Sequence, residues 1–88
     1  MMLQKTFRVG NKLGLHARPA ALFVQTAGRF KCGVKVRKGD VEVNGKSMMG
    51  LMMLAAEQGS ELLITLEGDD APQAMQGFEK LFAGNFGE

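Results

Sequence analysis

Gly14-Leu15-His16-Ala17-Arg18-Pro19-Ala20-Ala21 holds the only histidine of the chain, with an arginine two residues on and a proline beside it. These residue types suit phosphate chemistry if a helix starts here. A helix start leaves backbone N–H groups without intrahelical partners, and together with the helix dipole they form an anion site. Taken alone, one histidine in a small domain is more often a cap or a surface group than a reactive one, so the feature needs support from the rest of the chain. A second candidate is Ser47, which precedes Met48-Met49-Gly50-Leu51-Met52-Met53-Leu54-Ala55-Ala56. Serine is a preferred N-cap because its hydroxyl accepts from a free N–H of the first turn. No Glu or Gln stands three residues later, so there is no capping box.

The elements that must position these residues follow from periodicity. Leu3 to Val9 alternates, with Leu3, Phe7 and Val9 on one side and Gln4, Thr6 and Arg8 on the other, as in a half-buried strand. Gly10 to Gly14 breaks the pattern with turn residues. Ala17 to about Gly28 is Ala-rich, with Leu22, Phe23 and Thr26 at helical spacing, and Pro19 fits the first turn. Arg18 precedes a proline and is therefore disfavoured in the helical region, so an irregular first turn is expected. Val34-Lys35-Val36-Arg37 and Val41-Glu42-Val43 flank Lys38-Gly39-Asp40 as a hairpin.

Ser47 then opens a second helix, which Glu57 to Ser60 closes. Glu61 to Glu67 is a fourth strand with Leu62, Ile64 and Leu66 inward. Gly68-Asp69-Asp70-Ala71-Pro72 leads into a third helix, acidic where the dipole favours it. That helix carries Ala71, Ala74, Met75, Phe78, Leu81 and Phe82 on one stripe and frays at Gly84. The order is βαββαβα, an α/β (α+β) two-layer open-faced sandwich with three helices on one face of a four-stranded sheet. Residues 1–88 read as one domain.

Composition excludes several functions. A formal net charge of +2 is too small to argue for nucleic acid. Lys35, Arg37 and Lys38 read as a solvated strand face, and with no Tyr or Trp to stack bases an RNA-binding domain is a weak alternative. Cys32 cannot support an internal disulfide; alternation puts it with Val34 and Val36 as a small buried hydrophobe. One His and one Cys far apart do not make a ligand set, so neither metal nor cofactor is expected. Met1 to Thr6 has no basic region followed by an apolar run, and no stretch approaches membrane-spanning length, so a cytoplasmic location is expected.

Four of the seven methionines lie between Met48 and Met53. If Leu51 and Leu54 face the sheet, Met48, Met49 and Met52 turn outward as an apolar patch suited to several partners; loosely packed core is the equal alternative. Gly50 weakens this helix by roughly 1 kcal/mol relative to Ala.

Gly14-Leu15-His16-Ala17-Arg18-Pro19-Ala20, followed about thirty residues later by Lys46-Ser47-Met48-Met49-Gly50-Leu51, resembles the HPr family, the histidine-containing phosphocarriers of the bacterial phosphotransferase system. The resemblance covers nearly the whole chain. It implies an antiparallel sheet in the order 1-4-2-3 and phosphorylation of His16 on Nδ1 by phosphorylated Enzyme I, using phosphoenolpyruvate. The group would pass to enzyme IIA proteins. Arg18 would hold phosphate oxygens, Ser47 would be the site of a dedicated serine kinase/phosphorylase, and Ala17, Ala21, Met48, Met49 and Met52 would meet partners. Such a protein is a monomeric carrier rather than an enzyme in the strict sense, binding neither nucleic acid nor membrane. A regulatory binding module of the same fold is the alternative. Whether Arg18 points at the phosphate site before transfer or swings to it afterwards stays open at this level.

Overall fold

Alternating apolar side chains build the sheet, and apolar stripes of period 3.6 lay the helices on it. In the computed structural model, which describes residues 1–88, β1 is Met2–Arg8, α1 Ala17–Gly28, β2 Gly33–Lys38, β3 Val41–Asn44, α2 Met48–Met53, β4 Glu61–Glu67 and α3 Ala71–Ala83. A 3-10 turn, Asn85–Gly87, follows α3. All strand pairs are antiparallel, in the order β1-β4-β2-β3. The expected open sandwich and strand order are therefore present.

Register explains the two faces. Leu3 pairs with Leu66 and Leu66 with Val34, while Ile64 lies between Lys5 and Val36, and Val36 pairs with Val43. These rows carry the core side, where Val36, Leu62, Ile64 and Leu66 have no exposed surface. The intervening positions, Gln4, Thr6, Lys35, Arg37 and Glu42, are exposed on the opposite face. Period-2 alternation thus gives one buried and one solvated side.

The helices cover the apolar side through an aromatic network. Phe82 of α3 stacks on Phe7 of β1 with ring centroids 4.6 Å apart, meets Phe23 of α1 edge-on at 6.3 Å, and meets Phe86 at 4.9 Å. Phe23 and Phe78 lie 4.6 Å apart. Gly45 is needed beside this network: a Cβ there would strike a methyl of Val34 and crowd the Phe23 ring. Cys32, 2% exposed, belongs to the same core, and its thiol pKa is raised by burial first and then by Asp70.

Four local features differ from the sequence reading. α2 stops at Met53 rather than near Glu57, because Ala55 takes a left-handed conformation at φ 48°. Lys38 closes that end by donating from Nζ to the carbonyls of Leu54 and Ala55, each at 3.1 Å, and so leaves the solvated face of the sheet. Asp70, read as part of an acidic helix start that favours the dipole, is the N-cap residue of α3 but makes no side-chain cap bond; its carboxylate instead accepts from the amides of Lys31 at 2.8 Å and Cys32 at 2.9 Å. Those bonds, Lys31 first, hold its pKa below the usual value despite burial. The turn after Gly84 returns Phe86 to the core at 3% exposure instead of fraying.

Truncating Phe82→Ala removes the ring shared by three aromatic contacts and is expected to cost about 3–5 kcal/mol. Ser47→Ala, which removes one capping oxygen, is expected to cost about 1 kcal/mol. Urea unfolding followed by circular dichroism measures both, and equal costs for the two variants would contradict this packing.

Candidate functional site

His16 is the N-cap residue of α1, in extended conformation at φ −80°, ψ −172°. Its carbonyl accepts the first helical bond, from the Ala20 amide at 3.0 Å, so the helix begins regularly despite Pro19. The irregular first turn expected from Arg18 before proline is absent. The Ala17 and Arg18 amides precede any intrahelical partner, and Pro19 has no N–H to offer. Two backbone donors therefore stand beside the imidazole.

The approach to His16 is fixed by the loop before it. Gly14 has φ 72°, and a Cβ there would strike the Ala56 carbonyl oxygen. Only glycine tolerates both the conformation and the close approach. Leu15 is buried, and its amide donates to that same carbonyl at 2.8 Å. Asn11, 4% exposed, donates from Nδ2 to the Gly14 carbonyl at 2.6 Å and to Glu88 Oε1 at 2.9 Å.

His16 Nε2 donates to Glu88 Oε2 at 2.9 Å, with Oε1 at 3.2 Å. An ionised carboxylate only accepts, so in the neutral ring the proton sits on Nε2 and Nδ1 keeps its lone pair. No group of the chain hydrogen-bonds Nδ1. The His16 side chain is 36% exposed. Burial pushes the Glu88 pKa upward, but hydrogen bonds from His16 and Asn11, with the charges of His16 and Arg18, outweigh it and lower the pKa. Arg18 itself is exposed and forms no hydrogen bond or ion pair. Its guanidinium is uncommitted before any anion arrives.

Ser47 is the N-cap of α2 at φ −111°, ψ 120°, and its Oγ accepts from the Gly50 amide at 3.0 Å. Leu51 and Leu54 are buried while Met48, Met49, Met52 and Met53 are exposed, Met49 to 77%. Of the two readings of the methionines, the outward patch is the one present, and Met53 extends it. Ala17 is exposed and Ala21 half-buried on α1, which packs against α2. The Leu15–Ala56 bond fastens the His16 loop to the chain leaving α2. His16, Arg18 and the methionines therefore occupy joined elements.

Asn11 and Glu88 were not identifiable as site residues from sequence. Asn11 reads as a turn residue, and Glu88 reaches His16 across 72 positions through a turn that no periodicity announces. The two hollows of the surface are lined by Gly33, Val34, Lys35, Glu42, Val43 and Asn44, and by Lys31, Cys32, Gly68, Asp69 and Asp70. Neither contains His16. No three His, Cys, Asp or Glu side chains are grouped to hold a metal ion, and no helix is long and apolar enough to cross a membrane.

Residues 3–84 match the family described as PTS HPr component phosphorylation site. The chain is similar to a phosphocarrier protein HPr of Neisseria meningitidis, 49% identical over 87 residues, covering 99% of this chain and 98% of the relative. Its fold resembles the crystal structure of an HPr from Thermoanaerobacter tengcongensis at TM-score 0.94 and 45% identity, over 98% of this chain and 97% of that one. It also resembles an HPr dimer from the same organism at TM-score 0.79 and 46% identity, over 93% and 94% of the two chains. With a matched family spanning most of its length, relatives of nearly half identity and the same strand order, the chain belongs to the HPr family, the phosphocarriers of the phosphotransferase system.

Proposed function

We propose that the protein accepts a phosphoryl group on His16 Nδ1 from phosphorylated Enzyme I and donates it to enzyme IIA proteins. The observation that carries this reading is the state of His16: Nε2 is occupied by Glu88, and Nδ1 is free on an exposed surface beside two unpaired amides. A ring nitrogen of this kind is a nucleophile near pH 7 and a good leaving group once phosphorylated. The Nδ1 lone pair attacks phosphorus as the bond from phosphorus to the donor group of Enzyme I breaks, the bonding pair leaving with that group. A second displacement, with a nucleophile of the acceptor protein attacking phosphorus and the His16 ring leaving, discharges the group.

Stabilisation has to be moderate, because the phosphoryl group must leave again. The Ala17 and Arg18 amides and the Arg18 guanidinium offer charge-assisted hydrogen bonds to phosphate oxygens without enclosing them. Arg18 is free to swing onto the group after transfer, and a lysine there lacks the planar fork. Met48, Met49 and Met52, with Ala17 and Ala21, form the face on which partners dock. Flexible thioethers suit a surface that meets a donor and several acceptors.

Ser47 serves as a cap and, in this reading, also as a regulatory phosphosite for a serine kinase/phosphorylase. A phosphate there adds roughly −1.5 to −2 charge at a helix start, which the dipole tolerates. It also sets a dianion beside the methionines, where it opposes an acidic or apolar partner. The protein acts as a cytoplasmic monomer in which residues 1–88 form one domain, and carries a group without itself catalysing turnover.

Labelling with Enzyme I and radioactive phosphoenolpyruvate is expected to give an acid-labile, base-stable phosphoprotein and no label on His16→Ala; persistent labelling of that variant overturns the assignment. Met49→Glu is expected to raise the KM for Enzyme I at least tenfold while changing stability by less than about 0.5 kcal/mol. A large fall in Tm would instead place Met49 in the core.

A further inference from the structure

Glu88 is the one charged group at His16 to which the transfer reaction assigns no task. Its placement is built rather than incidental. Phe86, left-handed at φ 56° and 3% exposed, anchors the turn in the core against Phe82. The Gly87 amide donates to the Gly84 carbonyl at 2.9 Å, and the Glu88 amide to the Asn85 carbonyl at 3.0 Å. A Cβ on Gly10 would collide with the Asn85 carboxamide, so the turn lies close over the loop that precedes Asn11. The Glu88 side chain is only 22% exposed, and buried Asn11 donates to its Oε1 while Oε2 accepts from His16 Nε2–H.

We propose that Glu88 is a positioning residue that fixes His16 as the Nε2–H tautomer and thereby directs phosphorylation to Nδ1. The inference rests on reading His16 as the phosphoryl acceptor. Two effects act together. A carboxylate accepting from Nε2–H leaves the ring lone pair on Nδ1 and holds the ring plane, as acceptors on the distal nitrogen of histidine ligands do. Its negative charge also screens Nε2 from an anionic phosphoryl donor.

The same arrangement balances the product. The neutral ring begins with hydrogen on Nε2 and a lone pair on Nδ1. When Nδ1 bonds to phosphorus and the donor's leaving group departs with the bonding pair, the His16 ring has no proton to lose or gain, and it becomes a cation paired with the Glu88 carboxylate. A protonated phosphoimidazole is the form that leaves readily, so Glu88 keeps the group ready for onward transfer while Arg18 faces the phosphate.

Phosphoramidate tests this without any partner protein. In that reaction the Nδ1 or Nε2 lone pair displaces ammonia from phosphorus, the amine of the reagent already carrying its third proton. Full-length protein labelled with 15N at histidine is treated with the reagent, and the isomer is read from 31P and 15N resonances of His16. Wild type is expected to give the Nδ1 isomer. Glu88→Ala is expected to raise the Nε2 share roughly tenfold, the scale of one charge-assisted hydrogen bond, with an unchanged fold by amide spectrum. Glu88→Gln, whose amide oxygen can accept the same bond, is expected to restore the Nδ1 preference in large part. An unchanged isomer ratio in Glu88→Ala overturns the proposal, and so does a Gln variant indistinguishable from Ala, which leaves charge repulsion alone. Failure of the carrier reading shows differently, as wild-type protein that Enzyme I does not label whatever its phosphoramidate isomer.

Discussion

The Leu15 amide reaches the Ala56 carbonyl at 2.8 Å, and through this bond the loop before α1 is tied to the chain leaving α2. Everything around His16 depends on that approach. Gly14 can pass so close to Ala56 only without a side chain and only with φ 72°. Ala55, left-handed on the other side, turns the chain so that the Ala56 carbonyl is presented. Lys38 stabilises this turn by taking the Leu54 and Ala55 carbonyls. Two helices distant in sequence, one with the imidazole and one with the methionines, thus become parts of one surface.

A carrier of this size meets opposite demands. It needs a core tight enough to hold one shape, and an exposed histidine with an apolar face beside it. The aromatic network on one side of the sheet meets the first demand, with Phe82 joining β1, α1 and the final turn. The second is met by keeping α2 short, so that Leu51 and Leu54 alone anchor it and the methionines remain outside. The remaining sheet face is left to polar residues such as Gln4, whose amide donates to Thr65 Oγ1 at 3.0 Å.

Much of this was legible in the chain because short-range physics sets it. Alternation predicted which side of β4 is buried, the stripe from Ala71 to Phe82 predicted the contact face of α3, and Ser47 announced the start of α2. The strand order came from resemblance, since periodicity says nothing about which strands are neighbours. What stayed hidden depends on contacts across the fold. The early end of α2 goes with Lys38 and Leu15 donating to the carbonyls of Leu54, Ala55 and Ala56 just beyond it, the Asp70 carboxylate turns from α3 to Lys31 and Cys32, and Glu88 reaches His16 from a turn that Phe86 anchors in the core. At the candidate site, His16 and Arg18 could be picked out by type and spacing. Asn11 and Glu88 could not, because nothing in a turn asparagine or a distant glutamate records what it faces.

The central claim is that His16 holds a phosphoryl group reversibly, firmly enough to receive it and loosely enough to release it. Isolated phosphorylated protein, freed of Enzyme I and phosphoenolpyruvate and mixed with a cognate enzyme IIA, tests this most directly when followed by 31P NMR. The account predicts a single phosphohistidine resonance that disappears as a second grows on the IIA protein, reaching equilibrium without release of inorganic phosphate. A resonance that persists with every IIA protein supplied, or decays only to inorganic phosphate, would contradict it.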